Sequence, residues 1–417
     1  MTGQVGMGAP RRAELWDRLR PGRPSDDAEL TARVVWSVLA EPGDGVAGRL
    51  VADLGPAASL DLVFRDRAFP SPADAKREAT AVGAAVRAAY ESRGLEAPAG
   101  VRAGFLRWQP RMTGPLIASV FAMAEASAAE LLVPGDPQWS PGFVGLGDNA
   151  PLLLWALGDV ELLARFARSV AIVGTRAATG YGTHVATEFA AELAERGWTV
   201  VSGGAYGIDA SAHRAALAAK GDTIAVMAGG LNSFYPTGNS DLIARVAREG
   251  LVVAEVPFGT PPTPFRFLAR NRMIAAMTSV IVVVEAGSRS GSINTANHAS
   301  SIGRPIAAVP GPITSPSSAG CHELVQSGRA ELVARVEDIV RLAHGELPEP
   351  QQLADPEDPR YSRVLTTLSG RTPRTVGEVA ARSGLGESEA AGVLGVLLLD
   401  GAVRKTEDGW VSVRRTE

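Results

Sequence analysis

The run SVAIVGTRAATGYG (169–182) decides the architecture. Its apolar, β-favouring start ends on Gly174, and a glycine-broken turn then opens a helix-like segment near 181–196. A short apolar strand, a tight turn and a helix are the first half of a strand–helix–strand unit. The same pattern continues outward through WTVVSG (198–203), DTIAVMA (222–228), LVVAEV (251–256), SVIVVVEA (279–286) and PIAAVPG (305–311). Helix-like segments separate them near 208–219, 239–249, 266–277 and 291–302, with another near 320–327. Strands apolar on both faces, alternating with helices, predict an α/β domain whose parallel sheet is covered on both sides.

The flanks read differently. Residues 29–64 form short helices broken at Pro42-Gly43 and Gly55-Pro56, and 72–93 and 111–131 read as further helices. A small helical region is therefore expected over 29–130, after a flexible N-terminus over 1–28, with the α/β domain over 131–344. The stretch GELPEPQQLADPEDP (345–359) has five acids and no base, and reads as an exposed linker. Beyond it, helices are expected over 360–369, 375–383 and 386–399. AVRKTE and GWVSVRR then flank Asp408-Gly409 as a hairpin. Three helices and a two-stranded wing predict a winged-helix domain over 360–417.

Composition narrows the function. The 417 residues are 46% hydrophobic and 21% charged, and 41 Lys+Arg against 45 Asp+Glu leave a net charge of −4. A uniformly basic nucleic-acid protein is excluded, whereas a local basic groove is not: residues 165–344 carry 16 bases and 13 acids. Cys321 is the sole cysteine, which excludes intramolecular disulfides and multi-cysteine metal sites. Cys321-His322 reads as a turn rather than a catalytic pair. With no secretory signal and no run of 18 apolar residues, a cytoplasmic protein without a membrane partner is expected.

Ligands of an open parallel sheet bind beyond the carboxyl ends of its strands. After the first strand, Gly174, Gly180 and Gly182 surround Arg176 and open a helix, a geometry that suits phosphate. The spacing is not that of a dinucleotide site, and no Walker A sequence occurs. After the second strand, SGGAYGIDASAH (202–213) places Asp209 and His213 at i, i+4. They are either an acid/base pair or a helix-start carboxylate that holds a histidine in place. After the third strand, Phe234 and Tyr235 either stack on bases or pack under their loop, and Asn239 is expected to cap a helix. Arg266, Arg270 and Arg272 suggest a polyanion track. Ser290, Gly291, Ser292 and Thr295 open another helix as an anion nest. Together these features favour a phosphate-rich ligand, with no metal and no cofactor.

In order and content these motifs resemble the DNA-processing DprA (Smf) family over about residues 130–330. The resemblance implies an extended Rossmann-like fold, preceded by a SAM-like helical domain and followed by a winged helix. It implies a non-catalytic protein that binds and protects single-stranded DNA during natural transformation, loads the RecA recombinase and acts as a homodimer with cooperative assembly on DNA. Gly174-Thr175-Arg176 matches the family's phosphate-contacting turn, and Ser202, Gly203, Gly207, Asp209 and His213 match its glycine-rich segment. Arg270-Asn271-Arg272 matches its RNR, and Ser290-Gly291-Ser292 with Thr295 its last motif. Tyr235 and Asn239 complete the expected DNA-binding set, with Asp209 and His213 supporting it. Tyr206 stands where the family frequently has a basic residue, Asn232 where it often has Asp, and Leu268 where many members have Pro.

Two other classes compete. A nucleotide N-glycosidic-bond hydrolase of the related fold group would need a glutamate soon after Thr295, and EAGSRSGSINTANHA (285–299) has none there. A winged-helix regulator would need base-reading side chains, and 386–399 offers neither Arg nor Lys.

Overall fold

The computed structural model describes residues 7–64, 74–346, 358–370 and 372–413, which divide into two compact units at Glu346/Leu347. The first opens with helices α1 (Ala9–Leu19), α2 (Asp27–Leu39), α3 (Gly45–Leu54), α4 (Pro56–Phe64), α5 (Ala75–Glu91), α6 (Val101–Trp108) and α7 (Gly114–Ala126). The expected flexible N-terminus is corrected by α1. Leu15, Trp16 and Leu19 form one buried stripe, and Arg12 pairs with Asp27 at 2.7 Å, tying α1 to α2. Most of the expected acidic linker, 347–357, lies outside the described residues.

The sheet comprises β1 (Glu130–Leu132), β2 (Leu154–Gly158), β3 (Ser169–Val173), β4 (Thr199–Ser202), β5 (Thr223–Met227), β6 (Leu251–Ala254), β7 (Val280–Val283), β8 (Ile306–Ala308) and β9 (Glu331–Leu332). Helices α8 (Gly180–Glu195), α9 (Ile208–Ala218), α10 (Ser240–Glu249), α11 (Pro264–Ala276), α12 (Gly291–Ser301), α13 (Ala319–Gln326) and α14 (Val336–Ala343) connect and cover it. The strand order is β1-β2-β6-β5-β4-β3-β7-β8-β9. All pairs from β6 to β9 are parallel, whereas β2 runs antiparallel to both β1 and β6. The sheet is thus mixed at one edge. The apolar run around Leu154 carries no strand-specific pattern, because short apolar runs do not separate strand from helix by periodicity.

Alternation on β3 shows how both faces are closed. Val170 and Ile172 pack with Val185, Phe189 and Leu193 of α8 and Ala212 of α9. Ala171 and Val173 pack with Ile274 of α11, Ala296 of α12 and Leu324 of α13. The outer end of the sheet is covered by the helical region: Val252 and Ala254 of β6 share a core with Trp36, Trp108 and Phe121. From β3 the chain crosses towards β4, and on returning it places β7 on the other side of β3. Connections leave β3 and β7 in opposite directions, which opens a crevice at their carboxyl ends.

The second unit packs α15 (Pro359–Thr367), α16 (Val376–Ser383) and α17 (Glu387–Leu399) on the hairpin β10 (Val403–Thr406) and β11 (Gly409–Ser412). Val364, Val379, Leu394 and Trp410 form its core. Thr375 and Glu378 make a reciprocal capping box at α16. This is a winged helix.

Each unit has its own core, so a chain ending at Glu346 is expected to remain soluble and to keep the melting midpoint of its α/β core. A thermal melt of that truncation checks this; an insoluble product or loss of the cooperative transition would contradict it.

Candidate nucleic-acid interface

The loops after β3, β4 and β7 meet α11 around a cleft of about 460 Å³. Its lining includes Gly174, Thr175, Arg176, Asp209, Arg270, Asn271, Ser290, Gly291, Ser292 and Thr295, so most of the residues expected at the site are brought together. Local geometry requires two of the glycines. Gly207 has φ +74°, and a Cβ there would stand 2.4 Å from the Thr175 carbonyl. A Cβ on Gly203 would stand 2.5 Å from the Arg270 guanidinium.

The floor is rigid and charged. Thr175 donates its N–H to the Glu285 carbonyl at 2.8 Å and accepts the Ile208 N–H at 3.3 Å, stitching the three loops together. Arg270 is 6% exposed and donates Nη1 to the carbonyls of Gly203, at 2.8 Å, and Val226. Its Nε donates to the Asn271 side chain at 3.2 Å. Burial pushes Arg270 down to about 10, against the attraction of Asp209. Burial pushes the Asp209 carboxyl up, opposed by Arg270 and by the Ala205 and Gly203 N–H donors it accepts. Asn271 donates to the Gly291 carbonyl and to Asn294, both at 3.2 Å, fixing α11 against the start of α12. Ser290 caps α12 by accepting the Ser292 N–H at 3.3 Å.

The rim is aromatic and cationic. Arg176 is exposed, with its guanidinium carbon 4.9 Å from the Phe267 ring centre. The Tyr235 ring, 47% exposed, sits 5.8 Å from the same ring at 54°, and Arg270 approaches it at 5.9 Å. Phe234 instead packs against the helical core. Arg176 makes no ion pair among the described residues. Arg289 is a further exposed cation in the lining.

Several expectations are corrected. The nest at the start of α8 is filled from within: Glu285 accepts the Thr179 N–H at 3.0 Å and the Thr179 hydroxyl at 2.6 Å. Its carboxylate occupies the space a Gly182 Cβ would need. The three arginines do not form a track. Residues on a helix advance about 100° each, so Arg270 and Arg272 point about 200° apart. Arg272 pairs with Glu255 at 2.7 Å, Arg266 pairs with Glu41, and neither lines the cleft. Asp209 does not hold His213, whose Nδ1 meets the Thr223 hydroxyl at 2.7 Å. Because that hydroxyl donates to the Val200 carbonyl, Nδ1 carries the proton. Ser202 is buried and ties β4 to the Ile172 carbonyl at 2.7 Å. Asn239 makes no cap bond; its amide donates to the carbonyls of Gly204 (3.0 Å) and Ala205 (3.1 Å), bracing the floor loop. Cys321 lies on α13, not in a turn, and burial pushes its thiol up to about 11, which disarms it as a nucleophile.

Sequence reasoning missed Phe267, Arg289 and the role of Glu285. A signal for Phe267 existed: Phe267, Arg270, Asn271 and Ile274 are spaced i, i+3, i+4, i+7, and all four line the cleft.

Known proteins resemble this chain in sequence and fold. The sequence profile described as DNA recombination-mediator protein A matches residues 130–344, and one for the DprA winged helix domain matches 348–409. A Mycobacterium tuberculosis protein assigned to DprA is 46% identical over 300 residues, covering 68% of this chain and 77% of that protein. The Smf protein of Escherichia coli is 35% identical over 298 residues, covering 68% and 78%. The X-ray structure of DprA from Streptococcus pneumoniae superposes with a TM-score of 0.56 at 29% identity, covering 74% of this chain and 95% of that one. No helix among the described residues is long and apolar enough to cross a membrane.

His213 supplies a pH test of the support beneath the site. Burial, first, and the charges of Arg270 and Arg214 push it down to about 3. An unfolded histidine titrates near 6.5, so stability is fully present above that pH and is lost as pH falls towards 3. Urea unfolding at pH 7 and pH 4.5 is expected to show His213→Leu losing about 2–3 kcal/mol less than the parent between the two values. Equal losses would contradict the buried neutral histidine.

Proposed function

This chain belongs to the DNA recombination-mediator protein A (DprA/Smf) family of DNA-processing proteins, and we propose that it holds single-stranded DNA across the β3/β7 cleft without reading its sequence. One observation carries the reading: the ladder Arg176–Phe267–Tyr235 stands over a floor that contains Arg270 and borders Arg289. Every base has a π-face, so an aromatic ladder beside cations favours unpaired strands and tolerates any sequence. Duplex bases are stacked on one another and offer no free face to such a ladder. Phosphates would meet Arg176 and the start of α12, whose exposed Gly291 leaves open space for close approach.

The reading is non-catalytic. Asp209 is the carboxylate in the cleft lining, and its Oδ2 already accepts two backbone N–H groups, which commits it to holding the glycine loop. Glu285, at the end of the β7 strand, is committed to the α8 terminus. Within the same proposal the protein hands its strand to the RecA recombinase and works as a homodimer; family membership supports both. Helix α17 presents Ala391, Gly392, Leu398 and Leu399 to solvent and carries no Arg or Lys, which favours a structural or protein-docking role over base reading.

Fluorescence anisotropy with a labelled oligothymidylate and a duplex of equal length, across a salt series, tests this. Tighter binding of the single strand with a negative salt slope is expected; preference for any duplex would overturn it. Arg176→Ala is expected to weaken single-strand binding by about 1.5–3 kcal/mol and to lessen the salt slope by about one unit. Its melting temperature should stay close to the parent's, because Arg176 is exposed and makes no ion pair among the described residues. A variant that melts much earlier yet binds normally would make Arg176 structural.

A further inference from the structure

The first turn of α11 bears Phe267 but buries nothing of its own. The buried residues of this helix begin at Arg270, and Phe265 and Leu268 stand 56% and 47% exposed. Apolar burial therefore does not fix the turn; polar contacts must. Thr263 caps it by accepting the Arg266 N–H at 3.2 Å. The Arg266 guanidinium reaches back into the helical region, donating Nε and Nη2 to the two oxygens of Glu41 at 2.9 and 2.8 Å. Its Nη1 donates to the Pro261 carbonyl at 2.7 Å, on the approach to the helix. Glu41 lies on the short connection between α2 and α3. The same carboxylate accepts Arg111 from the turn after α6, and Arg111 in turn holds the Leu39 carbonyl at 2.9 Å.

A two-bond guanidinium–carboxylate fork fixes both distance and plane. With Arg111 on its other side, Glu41 is itself held. We infer that Glu41 is a positioning residue for the DNA platform: through its fork with Arg266, the helical region sets where Phe267 stands over the cleft. This rests on the reading of that cleft as the single-strand site. Charge alone points the other way. Glu41 is an acid, so removing it should strengthen attraction of a polyanion, whereas a positioning role demands that its removal weaken binding.

The test uses the full chain with Glu41→Gln, Arg266→Gln, the double variant and Phe267→Ala, each titrated with a labelled oligothymidylate across a salt series. Glu41→Gln is expected to weaken binding about three- to tenfold with an unchanged salt slope, and the double variant to bind no worse than the weaker single. Hydrogen exchange of the DNA-free protein should quicken at residues 265–269 in Glu41→Gln and stay unchanged in the sheet. Parental or tighter binding by Glu41→Gln, or unchanged exchange at 265–269, would overturn the inference. Phe267→Ala separates the two claims. If it binds like the parent, the platform reading fails, while exchange at 265–269 still reports on Glu41.

Discussion

The site depends on one buried cation. Arg270 places a guanidinium under the crevice where the strand order reverses, and a charge taken out of water is tolerated only when its donors are met. The carbonyls at the ends of β4 and β5 meet them, together with Asn271 from its own helix. Glycine at 203 is what makes room, since any side chain there would occupy the guanidinium's place. Arg270 therefore pins α11 to the sheet, presents Phe267 on its outer side, and leaves positive charge beneath the cleft. Asp209 tempers that charge while its Oδ2 accepts the N–H groups of Gly203 and Ala205 in the glycine loop.

The helix termini divide the work. Both α8 and α12 start at the mouth of the crevice, but Glu285 already lies at the start of α8. That buried carboxylate serves the fold by joining the β7 loop to the β3 loop, and it leaves α12 as the terminus open to an outside anion. On the proposed reading, the start of α12 and Arg176 meet phosphates, while the rings of Phe267 and Tyr235 face the bases. A strand crossing between them would lay its phosphates near α12 and its bases towards Phe267 and Tyr235.

Much of this was legible in the sequence, and for a physical reason. Parallel strands buried on both faces must be apolar throughout, so β3 to β8 announced themselves, as did the wing around Asp408-Gly409. The helix α1 and the strand β2, next to the sheet's edge, did not, because α1 is amphipathic over only three turns and β2 is a short apolar run. Glycines at strand ends located the crevice but not their partners. Whether Gly182 faces an incoming phosphate or Glu285, 103 positions later, is settled only by tertiary packing. Likewise Arg266, Arg270 and Arg272 look equivalent in a row of letters, while helical phase sends one to Glu41, one under the floor and one to Glu255. Reading that phase would have selected Phe267 and Arg270 together.

The central claim is that bases lie on the Phe267–Tyr235 face of the cleft. Ultraviolet crosslinking of a 5-iodouracil-substituted single strand, followed by mass spectrometry of the crosslinked peptides, tests it most directly. Adducts on Phe267 or Tyr235 are the expected result. Crosslinks confined to the winged-helix residues 358–413, with none on the loops that line the cleft, would contradict it.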